Sequence, residues 1–587
     1  MIGSRWSSVP WPSSGWPSAP APWTRRAWLT TATVQTGVVL TRPVWAARRP
    51  PPGWAAQSTR ARAAAERLDP APLLALAQTA VDAARSAGAQ YADARFTRDV
   101  YHCYNYGGLF MDAEMVAVGV RALVQGYWGF TAYPLWGPTP DRQAVVVRLA
   151  REAVAQARVN AQGSPRTVAL GPAPQATGAW TTPVELDPFT ISLEEKYDTL
   201  MVWVDEAQRR GLDVDQQGTR LEFGRQERIV ATSDGVGFSL TTLQSGGNVP
   251  IYRPPNRNPS LPIARIEITG RGWELFRDAQ IPAQLDAMVS NSAFGAAVAL
   301  TRSAKPALVG RYTLVCDGAT MAALVDQTLG VATQLDRALG YEANAAGTSF
   351  LDDPLAMLGH SQVASPSVTV TANRTAPTQL ATVPWDDEGV AAPAPFPLIQ
   401  GGVLVDFQTT REQAAWLAPA YQRLGRPVRS HGCAAAMDAS CITMQHMPNL
   451  ALAPNQTEVG LTDLAGQVLH GILLERGTVS QVDMQAKSGL LSGTMREIKN
   501  GRLGRVVGGG TVQFNTMDLW KHVQVVGGAG SAMVIPNSLY KDLLIRWCFG
   551  LPGIPGKGEP MQRTSHSVAG VAAVITNQPL INLVSPS

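Results

Sequence analysis

Charge, basic clusters and long apolar runs are all scarce in this chain of 587 residues. Only 16% of the residues are charged, the net charge is +4, and no basic block follows residue 70. This distribution argues against a nucleic acid partner. No apolar run approaches the roughly 20 residues that span a bilayer, so no transmembrane segment is expected. Hydrophobic residues make up 45%, as in a globular protein of two to four domains.

Cysteine is also scarce. The five cysteines are scattered and odd in number, which excludes a disulfide scaffold, and no C-x-x-C pair suggests a zinc ribbon. Only Cys433 and Cys441 lie close enough in sequence to form a bridge in an oxidising compartment. The alternative is that both are free thiols.

The first 68 residues are not typical of a folded unit. Arg25 and Arg26, followed by a bulky apolar pair, resemble a twin-arginine export signal. A mildly apolar stretch follows at 27–40, and residues 44–46 fit a small-residue cleavage site. We therefore expect export to the periplasm or the extracellular space, with a Pro/Ala/Arg-rich linker up to residue 68. The alternative is a disordered leader on a cytoplasmic protein.

The rest of the chain has the patterns of an α+β protein with three parts. Residues 69–185 combine a helix, a strand meander, a second helix and a connector rich in Pro and Gly. Residues 186–305 form a second α+β unit. Residues 306–587 form a larger, β-rich domain, with a helix predicted at about 320–335.

Local signals support these elements. Asp69, followed by Pro70, marks a helix start, and Ser192 opens a capping box. Ser233–Gly235 and Asn500–Gly501 are typical turns between two strands of a hairpin.

Several segments, in this order along the chain, resemble the TldD/PmbA metallopeptidase family. They are Tyr91–Phe96, Val118–Ala122, Asp386–Gly389, Pro397–Leu404, Asn500–Arg505 and Gly556–Pro560. The resemblance implies a peptidase-like fold. It also implies that the family's His-Glu-x-x-Gly-His motif falls on residues 326–331, within the predicted helix.

In that family, the two histidines and a cysteine just before the last segment hold zinc, and the glutamate activates water. The resemblance places the ligand positions at Asp326, Val331 and Pro555, and the general base at Gln327. All four depart from the motif, and only Asp326 retains a group that can bind a metal. We therefore predict no catalytic residue, no metal and no cofactor for this chain. The helix is expected to pack in the core, with Asp326 and Gln327 on its wetter side.

A rearranged metal site is the alternative. His431, Cys433, Cys441 and His446 are suitable ligand types within a short stretch, although their spacing matches no zinc pattern. The intervening Ala and Ser residues suggest an exposed loop. Zinc is expected as a cofactor only if this alternative site forms.

Two other groups of polar residues are not expected to take part in catalysis or metal binding. Residues 386–388 are three adjacent carboxylates, which we interpret as a solvated turn because like charges repel. The remaining histidines are scattered through the sequence, and none is expected to bind a metal: His102, His360, His470, His522 and His566.

The function implied by the resemblance is that of a non-catalytic, PmbA/TldE-like subunit in proteolysis. Such a subunit pairs with a homologous zinc-bearing TldD-like chain, or with a second copy of itself, and binds unfolded or extended peptides. One alternative is an active metallopeptidase with the rearranged site. The other is a stand-alone extracytoplasmic peptide-binding protein.

Overall fold

The computed structural model describes most of the chain from residue 67 onwards. The described ranges are 67–105, 108–135, 141–162, 167–174, 176–215, 218–252, 263–290, 308–343, 347–481, 483–508, 510–542, 561–576 and 580–583. All of them belong to one unit, Pro50–Ser587. The twin-arginine-like segment, Pro555 and Gly556–Pro560 lie outside the described residues.

Residues 67–290 contain strands β1 to β8 and helices α1 to α5. The strands are β1 (Tyr91–Asn105), β2 (Gly108–Val124), β3 (Tyr127–Pro134), β4 (Thr177–Thr181), β5 (Asp213–Val214), β6 (Arg220–Thr232), β7 (Gly237–Tyr252) and β8 (Ile263–Thr269). The helices are α1 (Pro70–Ser86), α2 (Arg142–Asn160), α3 (Leu193–Arg209), α4 (Glu274–Arg277) and α5 (Ile281–Ser290).

All eight strands belong to one sheet, the N-terminal sheet. Its order is β3-β2-β1-β6-β7-β4, and β5 and β8 also pair with β7. Strand β1 pairs antiparallel with β6 along most of its length, from Asp93 opposite Thr232 to Asn105 opposite Arg220. The predicted units 69–185 and 186–305 therefore share a single sheet.

The local signals in this part are confirmed. The Asp69 side chain accepts a hydrogen bond from the Ala71 N–H at the start of α1, and Ser192 caps α3 by accepting from the Glu195 N–H. The turn at Ser233–Gly235 joins β6 to β7, which pair antiparallel.

Residues 308–583 contain the remaining elements. The strands are β9 (Gly310–Arg311), β10 (Thr313–Cys316), β11 (Val370–Asn373), β12 (Phe396–Gln400), β13 (Val403–Leu404), β14 (Ala434–Ala435), β15 (Met444–Gln445), β16 (Asn449–Leu452), β17 (His470–Gln481), β18 (Ser488–Lys499), β19 (Arg502–Val507), β20 (Gly510–Asn515), β21 (Val523–Val526), β22 (Met533–Asp542), β23 (Met561–Gly570), β24 (Ala573–Ile575) and β25 (Leu580–Leu583).

The helices of this part are short. They are α6 (Gly318–Leu324), a π-helix (Val325–Gly330), α7 (Leu335–Ala338), α8 (Pro354–Met357), α9 (Arg411–Trp416), α10 (Ala418–Arg423), α11 (Leu461–Gly466), α12 (Thr516–Lys521) and a 3₁₀ turn (Ala529–Ser531). No helix in the described ranges is long and apolar enough to cross a membrane.

The C-terminal strands form two large sheets and a small hairpin. The nine-stranded sheet has the order β21-β24-β10-β17-β18-β20-β25-β9, with β19 on β18. The six-stranded sheet has the order β13-β12-β11-β16-β23-β22, and β14 pairs with β15. Asn500 and Gly501 both have positive φ, at 51° and 72°, as the predicted turn between β18 and β19 requires. The α+β fold class with a large β-rich C-terminal part is confirmed.

The predicted helix at 320–335 is confirmed in outline. Asp317 caps α6 by accepting from the Thr320 N–H, and α6 continues into the π-helix. This helical segment packs against β17 of the nine-stranded sheet and against β22 and β23 of the six-stranded sheet. It therefore lies in the largest hydrophobic core of the chain.

Candidate functional site

The site begins on the π-helix, whose turn carries Asp326 and Gln327. Helices of this type are rare and are frequent at functional sites. Asp326 is only 1% exposed, whereas Gln327 is half-buried. The prediction that both lie on a wetter side is wrong for Asp326, because side chains of β22 and β23 cover it.

Both carboxylate oxygens of Asp326 accept hydrogen bonds. His566 Nε2 lies 2.6 Å from Oδ1. Oδ2 accepts from Gln327 Nε2 at 2.6 Å and from Asn537 Nδ2. His566 and Asn537 are directly opposite each other on β23 and β22. Because a carboxylate can only accept, His566 Nε2 carries the hydrogen. These four side chains form the Asp326 cluster.

The other motif positions are apolar or tightly packed. Val331 is buried in the main core. Gly330, which retains the glycine of the family motif, lies so close to β16 that a Cβ atom would come within 2.6 Å of Leu450 Cδ1. The glycine is therefore explained by packing of the helix against this strand.

A second polar contact lies on the same strand as His566. His446 Nδ1 and Thr564 Oγ1 are 2.7 Å apart. Thr564 and His566 are two residues apart on β23, so their side chains are on the same face of the sheet. The His446 N–H donates to the Cys433 carbonyl at 2.7 Å. The β14–β15 hairpin therefore reaches the strand that contacts Asp326.

The alternative metal residues do not assemble. His431, Cys433, Cys441 and His446 are all buried, so the predicted exposed loop is wrong. Their neighbours differ: His431 stacks on Phe396, whereas His446 contacts β23. No group of three His, Cys, Asp or Glu side chains in the described ranges is arranged to hold a metal.

The two thiols of this group are separate. No disulfide bridge joins Cys433 to Cys441. Burial raises the pKa of the Cys433 thiol to about 12. The thiolate needed to bind a metal is therefore disfavoured at neutral pH.

The carboxylate cluster at 386–388 is also buried, so the predicted solvated turn is wrong in its exposure. It does form a turn, in which the Gly389 N–H donates to the Asp386 carbonyl. The expectation failed because cationic side chains from the N-terminal sheet, distant in sequence, replace the water.

Three arginines supply these positive charges. Arg95 NH1 lies 2.7 Å from Asp387 Oδ2, and Arg228 pairs with the other oxygen of Asp387. Arg121 lies 3.0 Å from Glu388 Oε1. These ion pairs join the N-terminal sheet to the C-terminal part of the chain.

The pKa values of two neighbouring carboxylates in the cluster are shifted in opposite directions. Burial, followed by the charge of Glu388, raises the pKa of Asp386 to about 7. Burial also opposes ionisation of Asp387, but Arg228 and Arg95 outweigh it and lower the pKa of Asp387 below its usual value.

No local sequence pattern predicted the Asp326 cluster. His566 was one of the scattered histidines, and it lies 240 positions from Asp326. Asn537 carries no motif of its own. Only the pairing of β22 with β23, and of both with the helix, brings these residues together.

The residues at the family's metal positions do not fit zinc. A catalytic zinc site uses three protein ligands with nitrogen, sulfur or carboxylate donors. Val331 offers none, Gln327 donates its amide to Asp326, and the oxygens of Asp326 already accept from three side chains.

The C-terminal part matches a known family. Residues 309–545 match the model of the PmbA/TldA metallopeptidase C-terminal domain. This part of the chain is therefore similar to the C-terminal domain of the TldD/PmbA family. The matched range includes the altered motif at 326–331, which lies on a helix as the resemblance implied.

Solved structures of similar fold cover most of the chain. TldE from Thermococcus kodakarensis is 14% identical with a TM-score of 0.58, over 86% of this chain and 99% of that protein. A protein described as a modulator of a DNA gyrase from Thermotoga maritima is 16% identical with a TM-score of 0.56, over 86% of this chain and 99% of that one.

A second gyrase-modulator structure, from Bacteroides thetaiotaomicron, is 14% identical with a TM-score of 0.57. It aligns over 87% of this chain and 98% of its own length. At such identities the likeness shows the fold alone. A comparison with curated proteins gives no match.

Proposed function

We propose that this chain is a non-catalytic, TldE-like subunit that pairs with a zinc-bearing TldD-like chain and holds extended peptides for proteolysis. One observation carries the proposal. Asp326 has the one ligating group left at the motif positions 326–331, and its oxygens are occupied by donors from His566, Asn537 and Gln327.

The general-base position supports the same conclusion. Activation of water at neutral pH needs a basic group such as a carboxylate or an imidazole. Gln327 has a neutral amide, and that amide donates its hydrogen to Asp326. The motif helix, the helical segment that carries residues 326–331, therefore has a packing role and no catalytic role.

Peptide binding is supported by a strand at a sheet edge. In the described part of the six-stranded sheet, β22 is the terminal strand. It exposes Met533 and Val534, at 36% and 44%, and it also carries Asn537. An extended peptide that adds a strand beside β22 would lie close to the Asp326 cluster.

The first experiment measures metal content and peptidase activity together. The chain is purified alone and after co-expression with a relative that has the intact motif. We expect no stoichiometric zinc and no cleavage by the chain alone, and cleavage of unfolded peptides by the pair. The matched control is the pair in which the relative has lost its motif glutamate. Chelator-sensitive zinc and cleavage in the chain alone would contradict the proposal.

A second experiment restores the motif. The variant combines Asp326→His, Gln327→Glu, Val331→His and Pro555→Cys. We expect a measurable gain in zinc affinity, yet less than in a native site, because second-shell partners must also orient the new ligands. Overpacking at Val331 adds a cost of about 1–3 kcal/mol in stability. Zinc titration of folded protein, with Val331→His alone as the control, measures the gain.

We further propose that the twin-arginine-like segment directs export. Replacement of Arg25 and Arg26 by lysine is expected to leave the precursor in the cytoplasm, because such signals depend on the arginine pair. Cell fractionation of the two forms measures the effect. An unchanged distribution would mean that the segment is not an export signal.

A further inference from the structure

A buried loop of the C-terminal part lies on the N-terminal sheet. This strap loop, residues 436–443, joins β14 to β15. The Ala439 N–H donates to Thr97 Oγ1 on β1 at 2.8 Å. Gln226 Nε2 on β6 donates to the Met437 carbonyl at 2.6 Å. The loop is therefore held by two adjacent strands of the sheet.

The contact leaves no room for an added side chain on β2. At Gly119, a Cβ atom would come within 2.1 Å of the Ala439 carbonyl oxygen. Glycine is required there because loop backbone lies directly on strand backbone. Groups enclosed at this contact are consequently kept from solvent.

Two carboxyl groups meet at this contact. Asp438 is fully buried, and its Oδ1 accepts from the N–H and the hydroxyl of Ser440. Asp99 Oδ1 accepts from Gln226 Nε2. The second oxygen of each carboxyl, Oδ2, is buried and receives no hydrogen bond.

The surroundings supply little positive charge. Opposite Asp99, the neighbouring strands carry Met115 on β2 and Gln226 on β6. The cation that faces Asp99 is Arg228, and its guanidinium is already bound to Asp387. A buried carboxylate without a dedicated cation is costly, and protonation removes that cost.

The electrostatics agree with this geometry. Burial, followed by the charge of Asp438, raises the pKa of Asp99 from 3.8 to about 7. The hydrogen bond from Gln226 and the charge of Arg228 oppose the shift only in part.

We propose that Asp99 carries a proton below neutral pH, and that loss of this proton loosens the strap loop from the N-terminal sheet. Two charged carboxylates in one buried contact repel each other, and opening of the loop admits water to both. The inference does not depend on the proposed subunit role, since it concerns the attachment of the loop alone.

The loop also leads to the Asp326 cluster. The strap loop closes the β14–β15 hairpin, and His446 directly after β15 contacts Thr564 on β23. Thr564 lies two residues before His566 on this strand. A looser strap loop therefore weakens the support of the strand that contacts Asp326.

The sign of the pH effect follows from the direction of the shift. The folded state binds the Asp99 proton more tightly than the unfolded state. Its contribution to stability therefore falls as pH rises from about 4 to about 7. Above this range, the full cost of the charged pair is present.

Hydrogen–deuterium exchange of residues 436–443 tests the inference between about pH 5.5 and about pH 8.5, after correction for intrinsic exchange. We expect the opening equilibrium to rise with pH up to about pH 7, by up to about tenfold per pH unit for one proton, and to level off above it. Infrared difference spectra of the same titration should show a protonated carboxyl band that disappears.

The decisive variant is Asp99→Asn, which mimics the protonated carboxyl. We expect it to keep the protection of wild type at low pH and to lose the pH dependence and the infrared band. The matched control, Asp82→Asn on the exposed side of α1, should behave as wild type.

Two results would overturn the inference. One is wild-type protection and infrared spectra that do not change over the titration, a result that needs no variant. The other is an Asp99→Asn protein whose strap loop is less protected at every pH, which would mean that Asp99 acts as an ordinary charged partner.

Discussion

The carboxylates at 386–388 and the carboxylate of Asp326 are both buried, yet their surroundings differ. The first group meets the guanidinium groups of three arginines from the N-terminal sheet. Asp326 meets two amides and an imidazole from its own part of the chain. Ion pairs join the N-terminal sheet to the C-terminal part of the chain, whereas hydrogen bonds between polar side chains occupy the family's metal position.

This difference predicts different sensitivity to substitution. Removal of one member of a buried ion pair leaves an uncompensated charge, which costs about 3–5 kcal/mol. Removal of a hydrogen-bond partner leaves an unsatisfied polar group, which costs about 1–3 kcal/mol. The two regions can therefore be ranked by experiment.

The largest effect is expected for Asp387→Asn. The substitution leaves Arg95 and Arg228 without their carboxylate, so we expect a loss of about 3–5 kcal/mol in the free energy of unfolding near neutral pH. Urea denaturation measures it. A loss below about 1 kcal/mol would mean that the ion pairs contribute little to stability.

The pH dependence of the same variant sharpens the result. Because the folded-state pKa of Asp387 is lowered, its stabilising contribution is present above the usual pKa of 3.8 and is lost as pH falls below it. Wild type and Asp387→Asn should therefore converge in stability in acid.

A smaller effect is expected in the Asp326 cluster. Asp326→Ala and His566→Ala should each cost about 1–3 kcal/mol, and the double variant less than the sum. The coupling energy from the cycle should fall between about 0.5 and 3 kcal/mol. Added chelator should leave all four melting temperatures unchanged, because hydrogen bonds and not a metal join these residues. Strict additivity would contradict the pairing.

The smallest effect is expected at an exposed ion pair. Arg148 and Glu152 are 2.9 Å apart on α2, with side chains 50% and 45% exposed. Arg148→Ala should change the free energy of unfolding by no more than about 0.5 kcal/mol. If its cost equalled that of Asp387→Asn, burial would not be the cause of the ranking.

Local sequence signals predicted local structure well. The caps at Asp69 and Ser192, the turn at Asn500–Gly501 and the helix at 320–335 depend on neighbouring residues, so their patterns were readable. The structure also explains the three family-like segments around Arg95, Arg121 and Asp387. Their charged side chains form the buried ion pairs between the N-terminal sheet and the C-terminal part.

Burial of the polar residues was not predictable in the same way. Adjacent acidic residues at 386–388 are usually solvated, and their cations lie far away in sequence; Arg95 is 292 positions from Asp387. Likewise, the Ala- and Ser-rich composition of 431–446 suggested exposure, yet the N-terminal sheet covers this segment. Contacts between residues distant in sequence decide whether such polar residues are buried, and the local sequence pattern does not contain this information.

The position of β10 inside the nine-stranded sheet has a consequence for biosynthesis. Strand β10 lies between β17, its parallel partner more than 150 positions later, and β24, whose residues 573–575 are made later still. The N-terminal sheet needs only residues up to 269 and can form on the ribosome. The motif helix follows β10 directly, so it is fixed in place only after translation has passed residue 575. Until then the edges of β10 lack their partner strands and can pair with other chains. We therefore expect the C-terminal part of the protein to depend on chaperones during its synthesis.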